Sequence, residues 1–152
     1  MRRLTLLLAA VALAGAGVAS AATRTDVRVV GTEVPPITSS LGTFVGAAEG
    51  PYGGFGIQIE HQPLRTGPTV AVTGGSLWLA LGTGATLHAA VAGGSVTVVA
   101  PGVRCTNQVY AVHVQLAGGS TFEGRLVHRR RSFFGRCTIY AATITGRASL
   151  AL

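Results

Sequence analysis

Residues 110–126 read Tyr110-Ala111-Val112-His113-Val114-Gln115-Leu116-Ala117-Gly118-Gly119-Ser120-Thr121-Phe122-Glu123-Gly124-Arg125-Leu126. In the first half, Tyr110, Val112, Val114 and Leu116 alternate with Ala111, His113 and Gln115. In the second, Phe122, Gly124 and Leu126 alternate with Glu123 and Arg125. A period of two is that of a strand with one face buried. The Gly-Gly step between the halves supplies the positive φ angles of a tight hairpin. The stretch therefore predicts two antiparallel strands and a turn.

The same grammar extends outward. Phe55, Ile57 and Ile59 alternate with Gly56, Gln58 and Glu60, and Leu77, Leu79 and Leu81 with Ser76, Trp78 and Ala80. Less regular strands cover 27–30, 41–47, 69–73, 86–91, 95–99 and 137–145. Thr73-Gly74-Gly75-Ser76 and Ala92-Gly93-Gly94-Ser95 predict two more hairpin turns. Their unequal intervals reflect hairpin chemistry, not a solenoid. Beyond the first twenty residues no segment shows helical periodicity with caps. The expectation is an all-β chain of eight to ten strands in a single antiparallel barrel of about eight, with a β-sandwich as the alternative. Closure removes exposed edges, and Gly42, Gly46, Gly56 and Gly124 inside strands suit a small barrel's sharp bends.

The chain has 152 residues, 48% hydrophobic and 11% charged, with 22 Gly and no Lys. One domain fits that length, and the low charge excludes a charge-rich disordered chain. Arg2 and Arg3 precede an apolar run, and Ala19-Ser20-Ala21 has the small-x-small form of a cleavage site. Residues 1–21 thus read as a secretory signal peptide, giving a secreted or cell-envelope protein. The run is too short, and ends too blandly, for a membrane anchor. Residues 22–40 read as a first strand and an arm containing Val34-Pro35-Pro36, and 41–152 as the barrel. Cys105 and Cys137, an even pair in an exported chain, predict a disulfide.

The part from Gly42 onward resembles the small secreted barrels related to allene oxide cyclases and dirigent proteins. The resemblance rests on Leu41-Gly42-Thr43-Phe44-Val45-Gly46 and Gly118-Gly119-Ser120-Thr121-Phe122-Glu123-Gly124. Where that group continues with Ala-Gly-Ala-Thr-Gly, this chain has Arg125-Leu126-Val127-His128. The resemblance implies an eight-stranded barrel and carries over no catalytic residue.

Charge is distributed unevenly. Residues 22–60 hold two Arg and four acids, a balance of −2; from His61 onward eight Arg face Glu123 alone, a balance of +7. Arg125, His128, Arg129, Arg130, Arg131 and Arg136 surround Phe133 and Phe134. The expected arrangement ends one strand near Arg129, puts 130–135 in a loop and starts the next strand at Arg136. Guanidinium groups bind phosphate, sulfate or carboxylate in bidentate fashion. The candidate partner is therefore an anionic polymer, glycan or lipid headgroup. The bland alternative is a solvated loop in a chain that uses Arg for every cation. Nucleic acid is disfavoured, since no recognition motif accompanies the charge.

Metal and catalytic signatures are weak. Cys105, His113, His128 and Cys137 lack the close-paired spacing of structural zinc. His88 and His113 fall on polar strand faces, and His61 before Gln62-Pro63 reads as a loop residue. Asp26, Glu33, Glu49, Glu60 and Glu123 form no evident pair, and no nucleophile-elbow, zinc-protease or phosphate-loop motif occurs. No catalytic residue, metal or cofactor is assigned. The sequence supports a non-catalytic binding or envelope-associated barrel with an Arg-rich loop. Its alternative is a barrel holding a small apolar ligand, as a binder or a cyclase- or isomerase-like enzyme.

Overall fold

A computed structural model describes residues 23–35, 38–64 and 67–151. The leader at 1–21, and Pro36 of the proline arm, lie outside the described residues. Eight antiparallel strands follow in chain order: β1 (Arg24–Glu33), β2 (Leu41–Ala48), β3 (Tyr52–His61), β4 (Thr69–Leu81), β5 (Thr86–Ala100), β6 (Gln108–Leu116), β7 (Thr121–Phe133) and β8 (Arg136–Ala151). Each pairs with its sequence neighbours, and β1 pairs with β8 to close the barrel. The first strand is thus a stave, not part of an arm ahead of the barrel. Val27 and Val29 alternate inward and join the barrel core, and β1 is paired with β2 on one side and β8 on the other.

Two of the three Gly-Gly steps are not turns. Thr73–Ser76 and Ala92–Ser95 lie inside β4 and β5, so four predicted strands merge into two. The β4–β5 register runs from Thr69↔Thr97 to Ala71↔Ser95 and resumes at Ser76↔Ala90, with both glycine pairs in the gap. Inward positions change parity there, from Val70 and Val72 to Leu77 and Leu79 on β4. An extra residue in a strand has this effect: it bends the strand and turns the next side chains over. Only glycine fits. Gly75 has φ +126, and a Cβ there would lie 2.0 Å from the Gln58 carbonyl oxygen; Gly94, at φ +137, would meet that of His113 at 2.1 Å. Gly118 and Gly119, both near φ +80, do make the predicted β6–β7 turn.

One half of the barrel is filled. Phe55, Ile57, Leu77, Leu79, Val114, Phe122, Ile144, Ala148 and Leu150 are fully buried there. The Phe55 and Phe122 rings stack at 6.1 Å. Room for the Phe122 ring comes from inward Gly124 and Gly146, whose added Cβ atoms would each lie 2.7 Å from it. Trp78 points outward over Gly56, where a Cβ would meet the indole at 2.1 Å. It caps the outside of the sheet.

The β1–β2, β3–β4, β5–β6 and β7–β8 connections share the other end. There β7 and β8 run on past His128↔Ala142 to Phe133↔Arg136 as a two-stranded ribbon with no third strand among the described residues. At 3.3–3.4 Å per residue it projects about 15 Å beyond the rim. The loop expected at 130–135 is therefore mostly strand. The turn is only Phe134 and Gly135, with φ 46 and 73, the two positive values that a tight hairpin turn requires.

Candidate ligand-binding site at the barrel mouth

Alternation continues past the core and turns polar. On β1, Val27, Val29 and Gly31 point inward, and the next inward position is Glu33. On β7, Phe122, Gly124 and Leu126 lead in the same phase to His128. Both side chains enter the ribbon end of the barrel, where the core gives way to a cavity of about 370 Å³. Its wall is largely apolar, from Leu41, Phe44, Ile59, Leu64, Val96, Val112 and Leu126, with Ile139 contributed by the ribbon. The polar groups are Glu33, His128, Tyr110, Gln108 and His61, with Thr38 and Ser39 at the β1–β2 loop. Natural ligand pockets have this size and this mix of apolar wall and few polar groups.

Glu33 and His128 face one another with Oε2 and Nε2 4.0 Å apart, too far for a hydrogen bond. The Glu33 side chain is 5% exposed and that of His128 14%. Among the described residues, Glu33 Oε2 and both His128 ring nitrogens have no hydrogen-bond partner. Burial raises the Glu33 pKa above 4.5. Burial, aided by the nearby Arg130 charge, lowers that of His128 below 6.5. The two shifts run in opposite directions, and burial favours the uncharged form of each group. The Tyr110 ring packs edge-on to His128 at 5.2 Å, and burial raises its phenol pKa against the opposing pull of Arg130.

These shifts make the pair costly to fold. Glu33 favours the folded state fully below pH 4.5, and this is lost as pH rises through its raised folded value. His128 does the reverse: its contribution is present above pH 6.5 and lost as pH falls through its lowered value. Buried polar groups left unsatisfied cost about 1–3 kcal/mol each, and such costs concentrate where function needs the group.

The ribbon is strapped to the β5–β6 loop. Cys137 on β8 is bonded to Cys105 in that loop, Cα to Cα 5.5 Å. Arg130 donates from Nη1 to the Gly102 carbonyl at 2.6 Å, and its backbone N–H donates to Asn107 Oδ1. Gly102, Arg104 and Cys105 all have positive φ, folding the loop tightly under the ribbon. With both thiols in the bridge, the Cys105, His113, His128, Cys137 set cannot act as a metal centre.

The residues singled out in the sequence separate. Arg129, Arg131, Phe133, Phe134 and Arg136 are exposed on the ribbon. Arg130 is half-buried and spent on Gly102. Arg125 sits on the outer wall, paired with Thr145 and Ala111, away from the ribbon. His128 turns into the mouth, away from the arginines' solvent face. His61 ends β3 and lines the mouth; its Nδ1 lies 2.7 Å from the Gln62 carbonyl oxygen. Glu33 and Tyr110 were not singled out, although extending the alternation of β1 by one step past Gly31 points Glu33 inward. No protein-family model matches the chain, no curated protein matches it, and no solved structure matches it.

Proposed function

We propose that this is an exported barrel whose mouth binds a small, largely apolar molecule carrying a hydrogen-bonding group. The observation that carries the reading is a buried carboxyl and a buried imidazole 4.0 Å apart in the wall of one apolar cavity, with Glu33 Oε2 and both His128 nitrogens unpartnered among the described residues. A carbonyl would accept from Glu33 and a hydroxyl would donate to His128. Either would supply the hydrogen bonds that the fold leaves open. The disulfide supports an oxidising, extracytoplasmic location, since such bridges persist there.

The same pair supports a second reading, a cyclase- or isomerase-like activity on a ligand held in the mouth. Glu33 would give a proton to one atom of the ligand and His128 would take one from a neighbouring carbon, with no net change in protons.

A neutral naphthyl ketone whose emission shifts to the blue in apolar surroundings tests the binding reading. It should bind at one saturable site. Leu126→Trp, which fills the cavity, should weaken binding tenfold or more. Glu33→Leu removes the donor, an interaction of about 1–1.5 kcal/mol, and should weaken binding roughly five- to tenfold. It should also raise the melting temperature, because the unsatisfied acid is gone. Absent binding, or binding untouched by both substitutions, would contradict the reading.

A further inference from the structure

The ribbon has two distinct faces. Cross-strand partners share a face, so Arg130, Ile139, Ser132 and Cys137 look toward the mouth and the β5–β6 loop. Arg131, Phe133, Arg136 and Tyr140 look the other way, with Phe134 at the tip. Phe134 is 91% exposed, Phe133 57% and Tyr140 54%. The two Phe rings pack on one another at 4.5 Å, and the Arg131 guanidinium lies over the Tyr140 ring at 5.5 Å. The aromatic residues are therefore held ready on the surface instead of folded into the core.

Charge at this end is one-sided. Arg104, Arg129, Arg130, Arg131 and Arg136 gather there. Among the described residues the carboxylates at that end are Glu33, inside the mouth, and Glu60, on the outer wall. Exposed Val103 lies in the loop bonded to the ribbon. Arginine interleaved with Phe and Tyr on a projecting edge suits the boundary between anionic headgroups and acyl chains. Guanidinium groups pair with phosphates there and amphipathic rings settle at headgroup depth. A soluble polyanion would use the arginines but would leave two edge-packed phenylalanines in water.

We propose that the ribbon docks on an anionic lipid bilayer, through Arg131, Arg136 and Tyr140 on its outer face and Phe133 and Phe134 at its tip. Docking brings the barrel mouth to the lipid surface, because the ribbon projects from the rim of that mouth and lends it Ile139. The ligand is then a membrane-borne apolar molecule that enters from the bilayer. This last step rests on the pocket reading; the docking does not. The Cys105–Cys137 bridge and the Arg130–Gly102 hydrogen bond hold the ribbon at a fixed angle to the barrel. A lone two-stranded ribbon, marginal in water, would not keep such an angle.

The test is co-sedimentation of the protein, recovered after export of the full chain, with vesicles of phosphatidylglycerol and phosphatidylcholine and with vesicles of phosphatidylcholine alone. Binding is expected to the anionic vesicles and to weaken with salt. Phe133→Ser with Phe134→Ser, and separately Arg131→Gln with Arg136→Gln, should each lower partitioning tenfold or more. All these residues lie outside the barrel, and unchanged binding of the naphthyl ketone in solution would report an intact fold and mouth. Absence of binding to anionic vesicles would overturn the proposal. So would binding unaffected by the phenylalanine substitutions and competed fully by dextran sulfate, which would make the ribbon a polyanion site. Loss of ketone binding alone, with vesicle docking intact, would remove the pocket reading and leave the docking.

Discussion

Replacing both Cys105 and Cys137 by Ser should lower the unfolding free energy by about 3.5–4 kcal/mol, the loop-closure entropy of a bridge spanning 32 positions. Urea denaturation, with wild type and variant compared under the same buffer, checks it. The loss should also have a local signature. With the bridge gone, the Arg130–Gly102 hydrogen bond, the Arg130–Asn107 hydrogen bond and the β7–β8 ladder are left to hold the ribbon among the described residues. Amide exchange at 130–139 should therefore quicken more than exchange in β3 or β4, where every strand has neighbours on both sides. Equal quickening throughout would mean that the bridge acts on the unfolded chain alone and does not strap the ribbon.

The second large effect lies at the filled end. Phe122→Ala should cost about 3–5 kcal/mol, the usual toll of removing a fully buried ring. The ring stacks on Phe55 and lies against Gly124 and Gly146, neither of which can supply atoms to fill the void. A double substitution sharpens the expectation. In wild type, a Cβ at Gly124 would strike the Phe122 ring at 2.7 Å and the Thr145 carbonyl oxygen only at 3.2 Å. Gly124→Ala should therefore destabilise wild type yet partly rescue Phe122→Ala, a non-additive pair expected of residues in direct contact. Gly146→Ala should not rescue, because its Cβ would also lie 2.5 Å from the Glu123 carbonyl oxygen, which does not move with the ring.

The alternation at 110–126 was enough to announce an antiparallel hairpin, and its recurrence an all-β barrel. Side-chain period is a direct consequence of the pleat, so it survives without tertiary context. Strand number and strand ends were less legible. Thr73–Ser76 and Ala92–Ser95 carry the same residues as the true turn at Ala117–Ser120. What separates them is the approach of Gln58 and His113 carbonyls, contacts made by residues distant in the chain. The Phe134-Gly135 turn lacked the usual Asn-Gly or Gly-Gly signature, so the arginines seemed to belong to a loop.

The site was half legible for a similar reason. Basic and aromatic residues between 129 and 136 announce themselves by composition. Glu33 and His128 do so only by phase: each continues an inward series, Val27–Val29–Gly31 and Phe122–Gly124–Leu126. Their 4.0 Å approach joins β1 to β7 across the mouth, and no local pattern encodes it. In the chain His128 stands directly beside Arg129, Arg130 and Arg131. The pleat sends it to the opposite face from Arg129.

The most direct measurement is a carbon NMR titration of the side-chain carboxyls, with Glu33 assigned by comparison with Glu33→Gln, run without and with the naphthyl ketone. Glu33 should keep its proton to higher pH than the ordinary glutamate value of 4.5, and its signal should move when the ketone is added. A Glu33 that ionises at or below the ordinary glutamate value and ignores the ketone would contradict a desolvated, ligand-ready carboxyl inside the barrel mouth.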